Sequence, residues 1–263
     1  VYLRRKFFYK MKKEIKIFFT ALLFFTRIPC PKWVDHAPDF LTKSSRYFPM
    51  VGIIVGTIGA SIYYVCSYIL PHPVAILLSM ISTILTTGAF HEDGLGDMCD
   101  GFGGGWTKEK ILLIMKDSRM GTYGIIGMMA VLSLKFVTLF YMDRSSLVIA
   151  IIAGHALSRF AACTLLYSLE YVRDEDQSKA KPAAQKMSIT SLMIAALFGI
   201  APLILFSNYF VFLTLIPVFI ARWYLGNFFF KWIGGQTGDC GGATQQICEV
   251  VFYLSLLVLW KFI

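Results

Sequence analysis

The sequence predicts an all-α fold: one polytopic transmembrane helical bundle of about seven spans. Three observations predict it. Of 263 residues, 57% are apolar and 16% are charged, against roughly 45–50% and about 25% in an ordinary soluble domain. The mean hydropathy is +0.64. The apolar residues gather in blocks of 16 to 25, close to the ~20 that a helix needs to cross a bilayer. The blocks are continuous rather than alternating, so the only other spanning solution, a closed β-barrel, does not fit. Residues 1–263 are therefore expected to form a single integral membrane domain, with no room for a separate soluble one. The same composition excludes disorder and a coiled coil and tells against an ordinary soluble enzyme.

The first element expected is a helix over 15–28 that lies in the membrane interface. Met11-Lys12-Lys13 precedes an apolar run from Ile15 to Phe25, and eleven residues are too few to span. The pattern imitates a signal peptide, but Arg27-Ile28-Pro29 stands where a small-x-small cleavage site belongs, so the helix is expected to be retained. The chain opens at Val1 with a better start at Met11, and residues 1–10 are expected to be an extension ahead of the true start. The spans come next, at 49–70, 73–91, 121–142, 146–169, 188–206, 208–225 and 247–263. They are separated by turn-formers such as Pro71-His72-Pro73, Asp143-Arg144-Ser145 and Ser207-Asn208.

The formal charge of +9 would suggest an acidic partner in a soluble protein. Its distribution says otherwise. With the N-terminus inside, the cytoplasmic segments 1–48, 92–120, 170–187 and 226–246 hold twenty Lys and Arg, and the outer segments hold two, Arg144 and Lys261. That asymmetry is the positive-inside rule at work; it points to the lipid bilayer and to no nucleic acid. The six cysteines (Cys30, Cys66, Cys99, Cys163, Cys240, Cys248) form no CxxC pair, so neither disulfides nor structural zinc are expected.

Acids are scarce, yet Glu92, Asp93, Asp97 and Asp100 fall within nine residues of one another, in HEDGLGDMCDGFGGG. At ~100° per residue, Asp93, Asp97 and Asp100 share one helical face. Like charges so placed need a cation, and Mg²⁺ fits, because it takes hard oxygen ligands and bridges carboxylates to substrate phosphates. The alternative is a solvated acidic loop, against which stands its position at the end of a span. The adjoining glycines, including Gly103 and Gly104, are expected to allow positive φ and a phosphate-cradling loop. Downstream, Lys116 and Arg119 suit phosphate oxygens, although positive-inside residues would look the same. A second polar loop, Gly234 to Thr244, carries Asp239, a further metal ligand or base; a flexible turn is the alternative. Within the spans, Lys135, His155, Arg159 and Arg222 are single ionisable residues. Arg222 is expected to snorkel, while Arg159 with His155 is either a core pair or a contact to an anionic substrate.

Three ordered strings carry a resemblance: HEDGLGDMCDGFGGG, IMKDSRMGTYG and GGQTGDCGGATQQICE. They resemble the cobalamin (5′-phosphate) synthase family, the adenosylcobinamide-GDP ribazoletransferases, whose pattern runs H-x-D-G-L-x-D-x-x-D-G, then M-K/R-D-S-R-x-G-T-x-G, then T-G-D-x-x-G-A. The leading segments Phe25-Thr26-Arg27-Ile28-Pro29 and Ser45-Arg46-Tyr47-Phe48-Pro49 are similar too. The sequence departs from the pattern at Glu92, commonly apolar, which would add charge to the metal site, and at Gly241, often Leu. The resemblance implies a multi-pass inner-membrane enzyme of coenzyme B12 nucleotide-loop assembly. It would be Mg²⁺-dependent, join adenosylcobinamide-GDP to α-ribazole or its 5′-phosphate with release of GMP, and have scope to associate with other cobalamin-assembly enzymes. On that reading Asp93, Asp97 and Asp100 hold metal, and Asp239 or Asp117 is the base. His91, Gly103, Gly104, Lys116, Ser118, Arg119 and Arg159 bind substrate. CDP-alcohol phosphotransferases share the Asp-x-x-Asp-Gly start at Asp97 to Gly101, but their Ala-Arg pair and later aspartates are missing from this chain. A secondary transporter would place its charges at mid-membrane.

Overall fold

The computed structural model describes residues 2–34, 38–173 and 186–262. Eleven α-helices run along these residues: α1 (Tyr2–Phe25), α2 (Pro38–Ser44), α3 (Phe48–Cys66), α4 (His72–Thr87), α5 (Phe90–Gly104), α6 (Lys108–Ile114), α7 (Thr122–Phe140), α8 (Arg144–Ser168), α9 (Ile189–Ile200), α10 (Leu215–Ile233) and α11 (Gly238–Phe262). Short 3₁₀ turns precede α3 and α10 and follow α9. Proline at the first positions of α3 and α4 starts each helix where a missing N–H costs nothing. The all-α expectation holds: among the described residues the β structure is one isolated bridge, Tyr171 to Gln236.

Each predicted span overlaps a helix, but not all are long enough to cross. Five helical stretches qualify by length and apolarity: Phe40–Cys66, α7, α8, Tyr209–Ile233 and α11, with a sixth if α4 and α5 count as one bent span. At ~1.5 Å per residue, the 16 residues of α4 and the 12 of α9 fall short of a hydrocarbon core ~30 Å thick. The predicted span 73–91 breaks because the chain turns through 88° between α4 and α5. Gly88 and Ala89 take left-handed conformations there, with φ of 66° and 58°. An alanine so placed costs on the order of 1 kcal/mol. The end of α1 holds the corner, with the Arg27 N–H donating to the Thr86 carbonyl at 2.7 Å.

The N-terminal helix is longer than the expected 15–28. Its buried face, Ile17, Ala21, Leu22 and Phe25, packs inward, and the Phe25 ring stacks on Phe48 at 4.2 Å. Of the extension expected ahead of Met11, residues 2–10 open α1 and Val1 lies outside the described residues. So do residues 174–185 of the predicted cytoplasmic segment 170–187.

Helices α3 and α8 pack closely along Gly52 and Gly56. A Cβ at Gly56 would lie 2.8 Å from the Ile152 Cα, and one at Gly52 would press on Arg159 at 2.7 Å. Small residues at this spacing let two backbones approach in lipid, where packing rather than water exclusion holds helices together. Behind this seam lies a polar core. Glu249, wholly buried, accepts from Lys135 Nζ at 2.6 Å, Tyr253 O–H at 2.8 Å and Gln245 Nε2 at 2.8 Å. Of the single ionisable residues of the spans, Lys135 and His155 both approach Glu249, the latter at 3.5 Å. Arg159, 1% exposed, lies beside it and donates to the His155 carbonyl at 2.9 Å. Arg222, in α10, donates to the Thr164 carbonyl and the Ser168 hydroxyl at the end of α8.

Candidate active site

At one end of the bundle, α5, the start of α7, the segment after α8 and the start of α11 meet. Two backbone bonds fasten this end: Val172 N–H to the Gln236 carbonyl (3.0 Å) and Gln236 N–H to the Glu170 carbonyl (2.9 Å). Helices α5 and α11 cross at glycine. A Cβ on Gly94 would lie 3.1 Å from the Asp239 Cα, and one on Gly242 would lie 3.5 Å from the Gly94 Cα. Glycine leaves room for this approach, and it sets Asp239 against the face of α5 that carries Asp93 and Asp97. The second motif joins them: a Cβ on Gly96 would meet the Met120 side chain at 3.1 Å. Three strings separated by up to about 140 residues in sequence thus form one surface.

The predicted site residues divide by what they touch. Asp93 is exposed and Asp97 half-buried, one turn apart on α5. Asp97 lies in the electrostatic field of Asp239, Asp93, Arg173 and Asp100. Asp239 accepts from the Arg173 guanidinium at 2.6 Å, and the same nitrogen donates to the Met115 carbonyl at 3.2 Å. Arg173 is the cation that clamps the second motif to the third. No motif contained it; it follows α8 in a segment that reads as a basic loop, and only the fold shows its partner.

Asp100 lies on the predicted face but is turned to another task. Its two carboxylate oxygens accept the N–H groups of Gly121 (2.6 Å) and Gly124 (2.8 Å), at the start of α7. An anion here compensates unpaired amides and the positive end of the helix dipole. With one backbone N–H on each oxygen, Asp100 positions the start of α7, while each oxygen keeps a further lone pair.

The glycine run is not a cradling loop. Gly101, Gly103 and Gly104 are helical residues of α5, and positive φ among the described glycines occurs at Gly88 and Gly234 alone. A Cβ on Gly103 would strike the Tyr123 ring at 2.6 Å, so the run serves close packing. The second polar loop is also largely helix, since α11 begins at Gly238 rather than near 247. Glu92 adds no charge to the acidic face: it is buried and accepts from Gln246 Nε2 at 2.8 Å.

The cations named from sequence sit at the rim. Lys116, Ser118 and Arg119 are exposed. Arg119 donates to Asp117 at 2.6 Å, and these hydrogen bonds hold the Asp117 carboxyl down at about 2. A carboxylate so stabilised is a poor proton acceptor. His91 is buried and stacked on Phe48 at 5.4 Å, and Arg159 is a member of the core rather than of this surface. All six cysteines are free.

Among the described residues no three His, Cys, Asp or Glu side chains form a ready-made metal cage. Mg²⁺ does not require one, because it commonly takes one or two carboxylates and completes its shell with water and substrate phosphate. Asp93 and Asp97, hard oxygen donors a turn apart at an accessible face with Asp239 beside them, fit that pattern.

The family model for cobalamin-5-phosphate synthase matches residues 17–257. The chain is similar to the adenosylcobinamide-GDP ribazoletransferase of Shewanella frigidimarina, 48% identical over 94% of this chain and 96% of that one. It is also similar to those of Shewanella oneidensis (46%, covering 94% and 95%) and Shewanella amazonensis (44%, covering 95% and 98%). No solved structure matches. A match over nearly the whole length, with all three motifs on one surface, decides the family: the chain belongs to the cobalamin-5-phosphate synthases.

Proposed function

We propose that this transferase moves the cobinamide phosphate of adenosylcobinamide-GDP onto α-ribazole or its 5′-phosphate, releasing GMP, in a Mg²⁺-dependent reaction at the cytoplasmic face of the inner membrane. The observation that carries the reading is the meeting of Asp93 and Asp97 on α5 with the Asp239–Arg173 pair through the Gly94–Gly242 crossing. The names of the relatives support the substrates. The basic residues predicted for one side of the membrane support the location.

In this reaction a ribazole hydroxyl oxygen attacks the phosphorus attached to cobinamide. The P–O–P anhydride bond breaks, GMP leaves with the bridging oxygen, and the hydroxyl proton passes to a base. Bound Mg²⁺, held by Asp93 and Asp97, would neutralise diphosphate charge. The chain's own residues supply the remainder. Arg173 places a guanidinium at the face where the leaving phosphate gathers charge, a role given from sequence to Lys116 and Arg119. Asp239, held by Arg173 through Oδ2 with Oδ1 facing the site, accepts the proton; Asp117, held by Arg119 through both oxygens, does not. Positioning and preorganised charge supply most of the acceleration in such transfers. GMP release from adenosylcobinamide-GDP and α-ribazole, measured with purified protein in nanodiscs, tests the proposal. Turnover that is lost with EDTA and restored by Mg²⁺ is expected; no GMP from this substrate pair overturns it.

A further inference from the structure

The glycine contact that brings α5 onto α11 leaves their register open. Packed helices keep register by seating side-chain ridges in grooves, and Gly94 and Gly242 have no side chain to seat. Beside that contact lies a buried polar bridge. Glu92 Oε1 accepts from Gln246 Nε2 at 2.8 Å, and the two residues are 6% and 2% exposed. Among the described residues no other side-chain hydrogen bond joins these two helices. Its ends stand close to the site. Asp239, Gly242 and Gln246, at i, i+3 and i+7, share one face of α11, and Glu92 immediately precedes Asp93 on α5. The bridge is also rooted in the core. Gln246 Nε2 lies 3.0 Å from Gln245 Oε1, and Gln245 Nε2 donates to Glu249 at 2.8 Å. From α8, Arg159 faces it, with its guanidinium in the electrostatic field of Glu249 and Glu92.

As a source of stability the pair is a poor one. Glu92 Oε2 and Gln246 Oε1 are buried without a partner among the described residues, and two well-packed apolar residues would avoid that cost. What one short bond across a smooth contact does supply is register. We propose that Glu92 and Gln246 are positioning residues: their bridge fixes how far α5 slides along α11, and with it the separation of Asp93 and Asp97 from Asp239. The inference rests on the reaction proposed above and adds to it the contact that sets its geometry. Where the family pattern is apolar at position 92, packing against α11 does this work; the glutamate of this chain does it through Gln246. A slip of one residue displaces Asp239 along α5 by about 1.5 Å, and a misplacement of about 1 Å costs a site of this kind on the order of 100-fold.

The test compares wild type in nanodiscs with Glu92→Leu, Gln246→Leu, the two combined, and Glu92→Gln, which keeps an acceptor for Gln246. Each single leucine is expected to lower kcat about tenfold and to raise the half-saturating Mg²⁺ concentration severalfold. The double variant sets an apolar pair at the crossing and should be no worse than the worse single, because both changes remove one contact. Glu92→Gln should stay within about threefold of wild type in both constants. Hydrogen exchange read by mass spectrometry follows the crossing apart from turnover. Amides of residues 90–97 should exchange faster in the two single leucine variants, with those of α3 at the wild-type rate. That result supports the bridge even if GMP release fails, and unchanged exchange overturns it. An active wild type whose single variants keep both constants within about twofold, or whose losses multiply in the double variant, overturns the bridge and leaves the reaction standing. Glu92→Gln as impaired as Glu92→Leu does the same.

Discussion

Two regions of this protein concentrate carboxylates, and they use them in opposite ways. In the core, Glu249 is wholly buried and its oxygens are taken by Lys135, Tyr253 and Gln245. At the end of the bundle, Asp93 and Asp97 stand on an accessible helix face whose neighbours include another acid, Asp239. The first arrangement is closed: Glu249 and Lys135 meet inside the protein, and the pair acts on structure. The second gathers negative charge beyond what Arg173 offsets and leaves oxygens accessible, the condition for taking up a cation and a phosphate ligand. Acid content alone does not separate a site from a core; what the oxygens already hold does.

Substitutions can break or sharpen that contrast. The largest effect on turnover is expected from Asp97→Asn, a loss of at least about 100-fold in GMP release with unchanged expression and thermal stability. Near-normal turnover would remove Asp97 from the metal site. The mirror case is Glu249→Ala, which strands Lys135 in the core and should cost about 3–5 kcal/mol. It would be read as a fall in the midpoint of thermal unfolding in detergent. Glu249→Ala with Lys135→Met should recover part of the loss, and an equal loss in both variants would show that the ion pair is not its source.

Arg173→Ala should fall between these extremes, with kcat down about 10- to 100-fold and little change in stability. Arg173→Lys should recover only part of the rate, since the shorter side chain must bring its ammonium to where one guanidinium nitrogen holds both Asp239 and the Met115 carbonyl. Asp100→Asn loses charge-assisted bonds to the Gly121 and Gly124 amides. It should destabilise by about 1–3 kcal/mol, with a smaller loss of kcat than Asp97→Asn; equal losses of activity would return Asp100 to the metal site. The smallest effect belongs to Asp117→Asn. Because Arg119 holds that carboxyl down at about 2, it stays ionised across the working range. The pH profile of kcat between about pH 5 and 9 should therefore keep its shape; disappearance of its acid limb would make Asp117 the base.

The helical blocks were legible because apolar periodicity is a local property, and a chain in lipid must satisfy its own backbone. The acidic face was legible for the same reason: Asp93 and Asp97 are four residues apart, and a helix places them together whatever surrounds them. Asp100 shows where this reading ends. Its spacing put it on the right face, but the amides of α7 arrive from 21 and 24 residues away and claim it. The glycines misled for a related reason. Glycine suits both a phosphate-binding loop and a tight helix crossing, and only neighbours such as Tyr123 at Gly103 or Asp239 at Gly94 distinguish the two.

By itself, then, the sequence determined a helical membrane bundle, the motif aspartates of α5 and the family they mark, because each depends on residue type and short-range spacing. The tertiary structure alone decided that α4 and α5 turn a corner at Gly88–Ala89, that Arg173 serves Asp239, and that Glu92 and Glu249 belong to the interior. Those features come from contacts between residues far apart in the chain. Such contacts depend on where helix axes cross, which no single segment's composition specifies.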